Sequence, residues 1–241
     1  MIAALVAAAV ALPTPAQLPT LPRLVQSANP VYCAGTRGKS FSLTFDDGPS
    51  PYTDALVAVL RRAGARATFF DVGSRIALWP SAARASATIG EIGNHTWSHP
   101  HLLALSAADT RDELVSTQHE MQRALGITPR LFRPPYAQAD AADDALAREL
   151  GLLDVRWSAD SGDSRLGATP HAVAQAAIAA LRPGAIILLH DPHPTTAAVA
   201  RVVLRAAKRK GLRSVTVSTL LARQPPSRDQ LTGTGDSRCP S

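Results

Sequence analysis

Two carboxylates stand side by side in Thr44-Phe45-Asp46-Asp47-Gly48-Pro49, and two imidazoles lie four apart in His95-Thr96-Trp97-Ser98-His99. Adjacent carboxylates are costly to hold together unless something positive neutralises them. Histidines at i and i+4 converge on one ion if that stretch is helical. Adding a carboxylate gives a two-His, one-carboxylate set, which leaves coordination positions open for water and substrate. That is the arrangement of a catalytic metal, not of a closed structural one. Successive strand residues point to opposite faces, so Asp46 and Asp47 are expected to differ in role, one ligating metal and the other acting on water.

Three further polar groups follow apolar runs: Arg133-Pro134-Pro135-Tyr136, Asp160 and Asp163 flanking Gly162, and His190-Asp191. Each has an ordinary reading. Asp-Asp-Gly-Pro is a turn sequence, and an isolated histidine pair is usually incidental. Arg before Pro-Pro-Tyr suits a surface turn, the two aspartates suit a loop, and His190 suits a strand end. Five such groups, each falling where a strand stops, argue for one shared site.

The elements that must position them can be read from periodicity and punctuation. Strands are expected at 40–45, 67–71, 91–94, 129–133, 153–157 and 214–217. Residues 185–189 are apolar throughout, as in a strand covered on both faces. Helices are expected at 52–63, ended by Gly64, at 80–88, at 107–125, closed by Gly126, and at 139–150. Two more are expected at 169–181, with Thr169 as N-cap and Pro170 at its first position, and at 196–210. Alternating strands and helices, with about seven strands and no internal repeat, predict an α/β fold: a parallel sheet with helices outside, barrelled or doubly wound. Such folds place their chemistry at the C-terminal ends of the strands.

The 241 residues, 46% hydrophobic and 18% charged, are enough for one large domain with a sizeable core. A net charge of +6 admits anionic partners such as nucleic acid, acidic lipid or an anionic wall polymer. The basic residues are scattered without a long run, so the charge reads as composition and no nucleic-acid partner is expected. The apolar run at 1–12 is too short to span a bilayer. It has the length of a secretory signal's apolar region, with Ala16 as a cleavage position. Residues 1–22 are therefore expected to be a signal peptide or leader, and the protein to be secreted or cell-wall associated. Membrane contact is expected only through that segment, if it is uncleaved. Cys33 and Cys239 flank the expected domain, residues 33–223, and in an exported protein they can form one disulfide. The chain-entropy model gives such a loop on the order of 4–5 kcal/mol. The tail, residues 224–241, is expected to be flexible.

The motifs TFDDGP (44–49), HTWSH (95–99), RPPY (133–136), DSGD (160–163) and LLH (188–190) resemble, in their order, those of the polysaccharide deacetylase family. This is the NodB homology domain of carbohydrate esterase family 4, and the resemblance covers about residues 39–221. It implies an irregular (β/α) barrel of about seven parallel strands with outer helices. It also implies a hydrolase that removes N-acetyl groups from a GlcNAc-containing polysaccharide such as peptidoglycan or chitin. An O-acetyl esterase on xylan and a non-catalytic carbohydrate-binding relative are the alternatives. Carried over by residue, Asp47, His95 and His99 would ligate a divalent metal, most often Zn2+, with Co2+, Mn2+ or Ni2+ as substitutes. Asp46 would be the general base and His190 the acid that protonates the leaving amine. Arg133 would tune the base, Asp163 the acid, and the Tyr136 N–H would meet the oxyanion. Tyr136, Trp157 and Leu188 would line the substrate. One departure is visible: Ser164 stands where the family usually carries Trp, and Trp157 or Trp97 are the candidates to take its place.

Overall fold

The longest strand, β1 (Ser40–Gly48), is buried along nearly its whole length, which places it at the centre of the molecule. The computed structural model describes residues 20–27, 29–232 and 239. The other strands are β2 (Thr68–Asp71), β3 (Glu91–Asn94), β4 (Leu131–Phe132), β5 (Leu153–Asp154), β6 (Ala159–Asp160), β7 (Ile186–His190) and β8 (Arg213–Ser214). Seven of them form one parallel path, β5-β4-β3-β2-β1-β7-β6, and β8 pairs with the start of β1. Consecutive strands β5 and β6 lie at the two ends of this order, so the barrel is open between them. The expected irregular barrel is therefore present.

Alternation along β1 sorts its side chains onto two faces. Phe41, Leu43 and Phe45 join Ile187 and Leu189 in the main apolar layer, packed against α2 (Thr53–Arg62) and α8 (Thr196–Arg209). Ser42, Thr44 and Asp46 are on the other face, toward the barrel interior. A second apolar cluster inside the barrel joins Phe70, Leu131, Val155 and Ile186 to Leu24 of α1 (Thr20–Ser27) and to Leu220 and Leu221 of α9 (Val217–Arg223). Helix α9 plugs the N-terminal mouth. The Val217 N–H bonds Thr68 Oγ1 at the start of β2, and the Ser218 N–H bonds Glu91 at the start of β3. The opposite, C-terminal mouth is thereby left to the polar residues.

The remaining helices are α3 (Gly73–Leu78), α4 (Pro80–Ala87), α5 (Ala107–Leu125), α6 (Ala141–Glu149), α7 (Pro170–Ala179) and α10 (Arg228–Thr232). Three expected strands are corrected. The strand expected at 214–217 ends at Ser214, because Thr216 Oγ1 caps the N–H of Thr219 and starts α9 instead. The strands expected at 129–133 and 153–157 shrink to two residues each, and β6 and α3 were not foreseen. The described part of the tail expected to be flexible runs to Thr232 and includes α10. There Gln224 bonds the Gly35 carbonyl and the Ser40 N–H, and Gln230 bonds the Ala34 carbonyl. Most of the expected leader, including Ala16, lies outside the described residues, and α1 begins within it at Thr20. Cys33 and Cys239 are joined by the expected disulfide, with a Cα–Cα distance of 5.9 Å. Among the described residues, no helix is long and apolar enough to cross a membrane.

Candidate metal centre and active site

His95 and His99 converge, but not on a helix. Thr96 and His99 both adopt positive φ, 67° and 62°, in a tight loop after β3. Such backbone persists in non-glycine residues only where the surroundings over-determine it. Here the Glu113 carboxylate of α5 accepts the Trp97 N–H, the Ser98 N–H and the Ser98 hydroxyl. Asn94 accepts the Thr96 N–H, and Thr96 Oγ1 accepts the His99 N–H. Sequence reasoning missed Glu113 and Asn94, which carry no local motif of their own.

Asp47 sits in a bulge of β1: Asp46 pairs with Phe70 and Gly48 with Asp71, so Asp47 has no partner and turns through φ 65°. The expectation that Asp46 and Asp47 face opposite sides fails for this reason. Both carboxylates approach the same ring, His95 Nε2, at 4.0 Å for Asp46 and 3.3 Å for Asp47. Gly48 is required beside them, since a Cβ there would lie 2.7 Å from Asp71 Oδ1.

The trio has the donor set of a divalent cation site. Asp47 Oδ1 lies 3.3 Å from His95 Nε2 and 3.0 Å from His99 Nε2, and it is buried yet makes no hydrogen bond. His95 Nδ1 lies 2.6 Å from the Arg133 carbonyl, which can only accept, so Nδ1 carries the proton and Nε2 the lone pair. Asp47, His95 and His99 thus fit the metal that the resemblance implies.

Asp46 is 3% exposed and Arg133 is 0% exposed. Arg133 Nη1 donates to Asp46 Oδ1 at 2.7 Å and to Thr44 Oγ1 at 2.8 Å. Its Nε and Nη2 donate to the carbonyls of Val155 and Arg156. The guanidinium lies over the rings of Phe70 and Trp157, at 4.1 and 5.4 Å. Burial pushes the Arg133 pKa down, and the Asp46 charge opposes that shift.

His190 follows β1 in register, opposite Asp46 on the neighbouring strand β7. Asp163 grips it twice, accepting the His190 N–H and bonding Nδ1, both at 2.7 Å. Nε2 is left as the atom available to the cleft. Burial lowers the His190 pKa, but the Asp163 hydrogen bond and the charges of Asp46, Asp163 and Asp47 outweigh it and raise the value to about 9.

The other expected residues are placed as follows. Tyr136 is 54% exposed, stacks on His101 and meets His99 edge-on. It has φ 58° in the turn after Pro134, and Ala137 follows with φ 56°. Arg156, buried and paired with Asp154, holds that turn by donating to the Ala137 carbonyl. Trp157 covers Arg133, and Trp97 packs near Gly73. Ser164 is exposed, and the ring of His193 meets that of His190 edge-on, with centroids 6.2 Å apart. Leu188 is 3% exposed on the same face of β7 as His190. Asp160 accepts the Gly162 N–H and shapes the loop that carries Asp163. Asp71 was not singled out, although a carboxylate ending the apolar strand β2 was a visible signal, and Asp191 was noted only as the neighbour of His190. Burial, with Asp191 and Asp46 nearby, pushes the Asp71 pKa well up, while Ser50 and Thr53 hold Asp191 by hydrogen bonds.

The class is thereby defined: a parallel (β/α) barrel with a candidate metal trio and a carboxylate–imidazole pair at the C-terminal mouth. Residues 34–155 match the family model for polysaccharide deacetylase, and the chain belongs to that family. The chain is 34% identical over 184 residues to the peptidoglycan-N-acetylglucosamine deacetylase PgdA of Listeria monocytogenes, covering 76% of this chain but only 39% of that protein's length. It is 38% identical to a chitooligosaccharide deacetylase of Bradyrhizobium sp., covering 67% of this chain and 74% of the relative. A family 4 carbohydrate esterase from Streptomyces lividans, solved in complex with acetate, superposes with a TM-score of 0.70 at 38% identity, covering 73% of this chain and 92% of that one.

Proposed function

We propose that the chain is a metal-dependent deacetylase that removes N-acetyl groups from a GlcNAc-containing polysaccharide, peptidoglycan or chitin-like. The observation that carries this reading is the buried, unbonded Asp47 Oδ1 between two histidine Nε2 atoms, beside the registered pair Asp46 and His190. A divalent cation, Zn2+ in this reading, held by Asp47, His95 and His99 would polarise the acetyl carbonyl and lower the pKa of water near it. Asp46, held by the Arg133 guanidinium, takes the proton from the attacking water. The Tyr136 N–H, which makes no hydrogen bond among the described residues, donates to the carbonyl oxygen as charge develops there. His190 Nε2 gives its proton to the leaving nitrogen, and Asp163 holds the imidazolium that precedes this step. The enzyme acts outside the cell, where a Cys33–Cys239 disulfide persists.

The test is acetate release from N-acetylchitooligosaccharides, from peptidoglycan and from acetylated xylan, each with and without chelator. The reading expects release from the first two, lost on chelation and restored by Zn2+. Release from xylan alone would replace the amidase reading by the esterase one. Asp46→Asn is expected to bind metal as the wild type does yet to lose turnover, and a fully active variant would remove Asp46 from its role as base.

A further inference from the structure

A cavity of about 850 Å³ opens at the end of the barrel opposite the candidate site, between α2 and α8 and the loops that lead into β2 and β8. Its charged lining is Arg62, Arg66, Arg201, Arg205, Lys208 and Arg213, with no acidic residue. Six cations that are dispersed in the sequence are thus gathered around one concave surface. All six are exposed, and none makes a salt bridge among the described residues.

Helix dipoles account for only part of this. Arg62 and Lys208 sit in the last turns of α2 and α8, where a cation is favourable. Arg201 and Arg205 lie earlier in α8 at i and i+4, with Lys208 one turn further on the same face, and like charges at this spacing destabilise a helix. Arg66 and Arg213 belong to the neighbouring loop and strand and close the ring from the other side. A concave, unneutralised, single-sign lining raises the local concentration of anions and suits a chain of repeated negative charges. No aromatic side chain lines the cavity, so it offers no platform on which nucleobases could stack.

We propose that this cavity binds a linear, non-nucleotide polyanion of repeated phosphodiesters, which would tether the protein while the opposite mouth works on its own substrate. This goes beyond the deacetylase reading and does not depend on it. The probe is a short poly(glycerol phosphate) oligomer, titrated by calorimetry into the whole chain. Wild-type protein is expected to bind it at low salt and to lose affinity steeply as salt rises. The double variant Arg201→Glu/Arg205→Glu is expected to bind it roughly tenfold or more weakly. Its acetate release from soluble N-acetylchitooligosaccharides should match the wild type. If charge reversal perturbs folding, as circular dichroism would report, Arg201→Gln/Arg205→Gln provides the same comparison with a smaller loss. The proposal is overturned if wild type does not bind the oligomer, or if a folded variant binds as tightly as wild type. Preference for a single-stranded oligonucleotide of equal charge, or for phosphatidylglycerol vesicles, would overturn it too. Absence of acetate release from every substrate would sink the deacetylase reading and leave the binding result intact.

Discussion

Asp46 and His190 end neighbouring strands in register, yet they are held in opposite ways. Asp46 is tied to a guanidinium with no exposure, which is itself fastened by Thr44, Val155 and Arg156 and covered by two aromatic rings. The side chain of His190 keeps 15% of its exposure, and its partner Asp163 rides on an irregular segment whose continuation, 164–169, is exposed. Asp46 is thus set by contacts that cross the barrel interior, whereas His190 is set by one loop carboxylate. Perturbing the first should cost fold and function together, and perturbing the second should act mainly on chemistry, with a smaller, pH-dependent cost in stability.

The largest effect is expected from Arg133→Met, which leaves the Asp46 carboxylate buried without its cation. A loss of about 3–5 kcal/mol in urea unfolding is expected, together with loss of acetate release. Arg133→Lys should not rescue either, because an ammonium cannot reach four acceptors in a planar fork. A stable, active lysine variant would erase the contrast between the two residues. Next, His190→Asn should lower turnover by about 10²–10⁴-fold while costing much less stability in urea unfolding than Arg133→Met. A loss as large as that of Arg133→Met would show that His190, too, is part of the structural frame.

Asp163→Asn sharpens the comparison through pH. Asp163 raises the His190 pKa, so its loss should lower that pKa from about 9 toward the ordinary 6.5, and the alkaline limb of turnover should move down with it. The stability sign follows from the same shift. A pKa raised on folding contributes stability that is complete below about pH 6.5 and lost as pH rises toward about 9. The stability gap between wild type and Asp163→Asn should therefore narrow over that range in parallel urea titrations. An alkaline limb that does not move would assign it to another group. The smallest effect is expected from Trp157→Phe, which keeps a flat ring over Arg133, with a cost within about 1 kcal/mol and little change in kcat. A variant that raises KM alone would place Trp157 against the substrate, as the resemblance implied, instead of over the guanidinium.

Much of the frame was legible because its signals are local. Gly126 closes α5, Thr169 and Pro170 open α7, and the apolar run at 186–189 is strand β7. The segment at 214–217 was misread because Ser-Val-Thr-Val alternates like a strand, while the capping hydroxyl of Thr216 decides the outcome. The two-residue strands β4, β5 and β6 exist only because neighbouring strands pair with them, and no window of sequence carries that information. Glu113 was invisible for a related reason: it supports the His95–His99 loop from 15 residues away, on a helix whose own pattern explains it as a surface residue.

By itself the sequence determined which groups meet when covalent spacing holds them together: Asp46 with Asp47, His95 with His99, and all of them at strand ends. Only the tertiary structure decided the rest. A bulge with φ 65° turned Asp47 toward the same ring that Asp46 approaches, where plain alternation would have parted them. The central place of β1 brought Arg133 to Asp46 across 87 residues and set His190 in register beside it. At the far mouth, the packing of α2 on α8 assembled six dispersed cations into one surface. The reason is the same in each case: short-range geometry is written in bond lengths and backbone angles, but long-range neighbours are chosen by the order in which strands pair to bury their apolar faces.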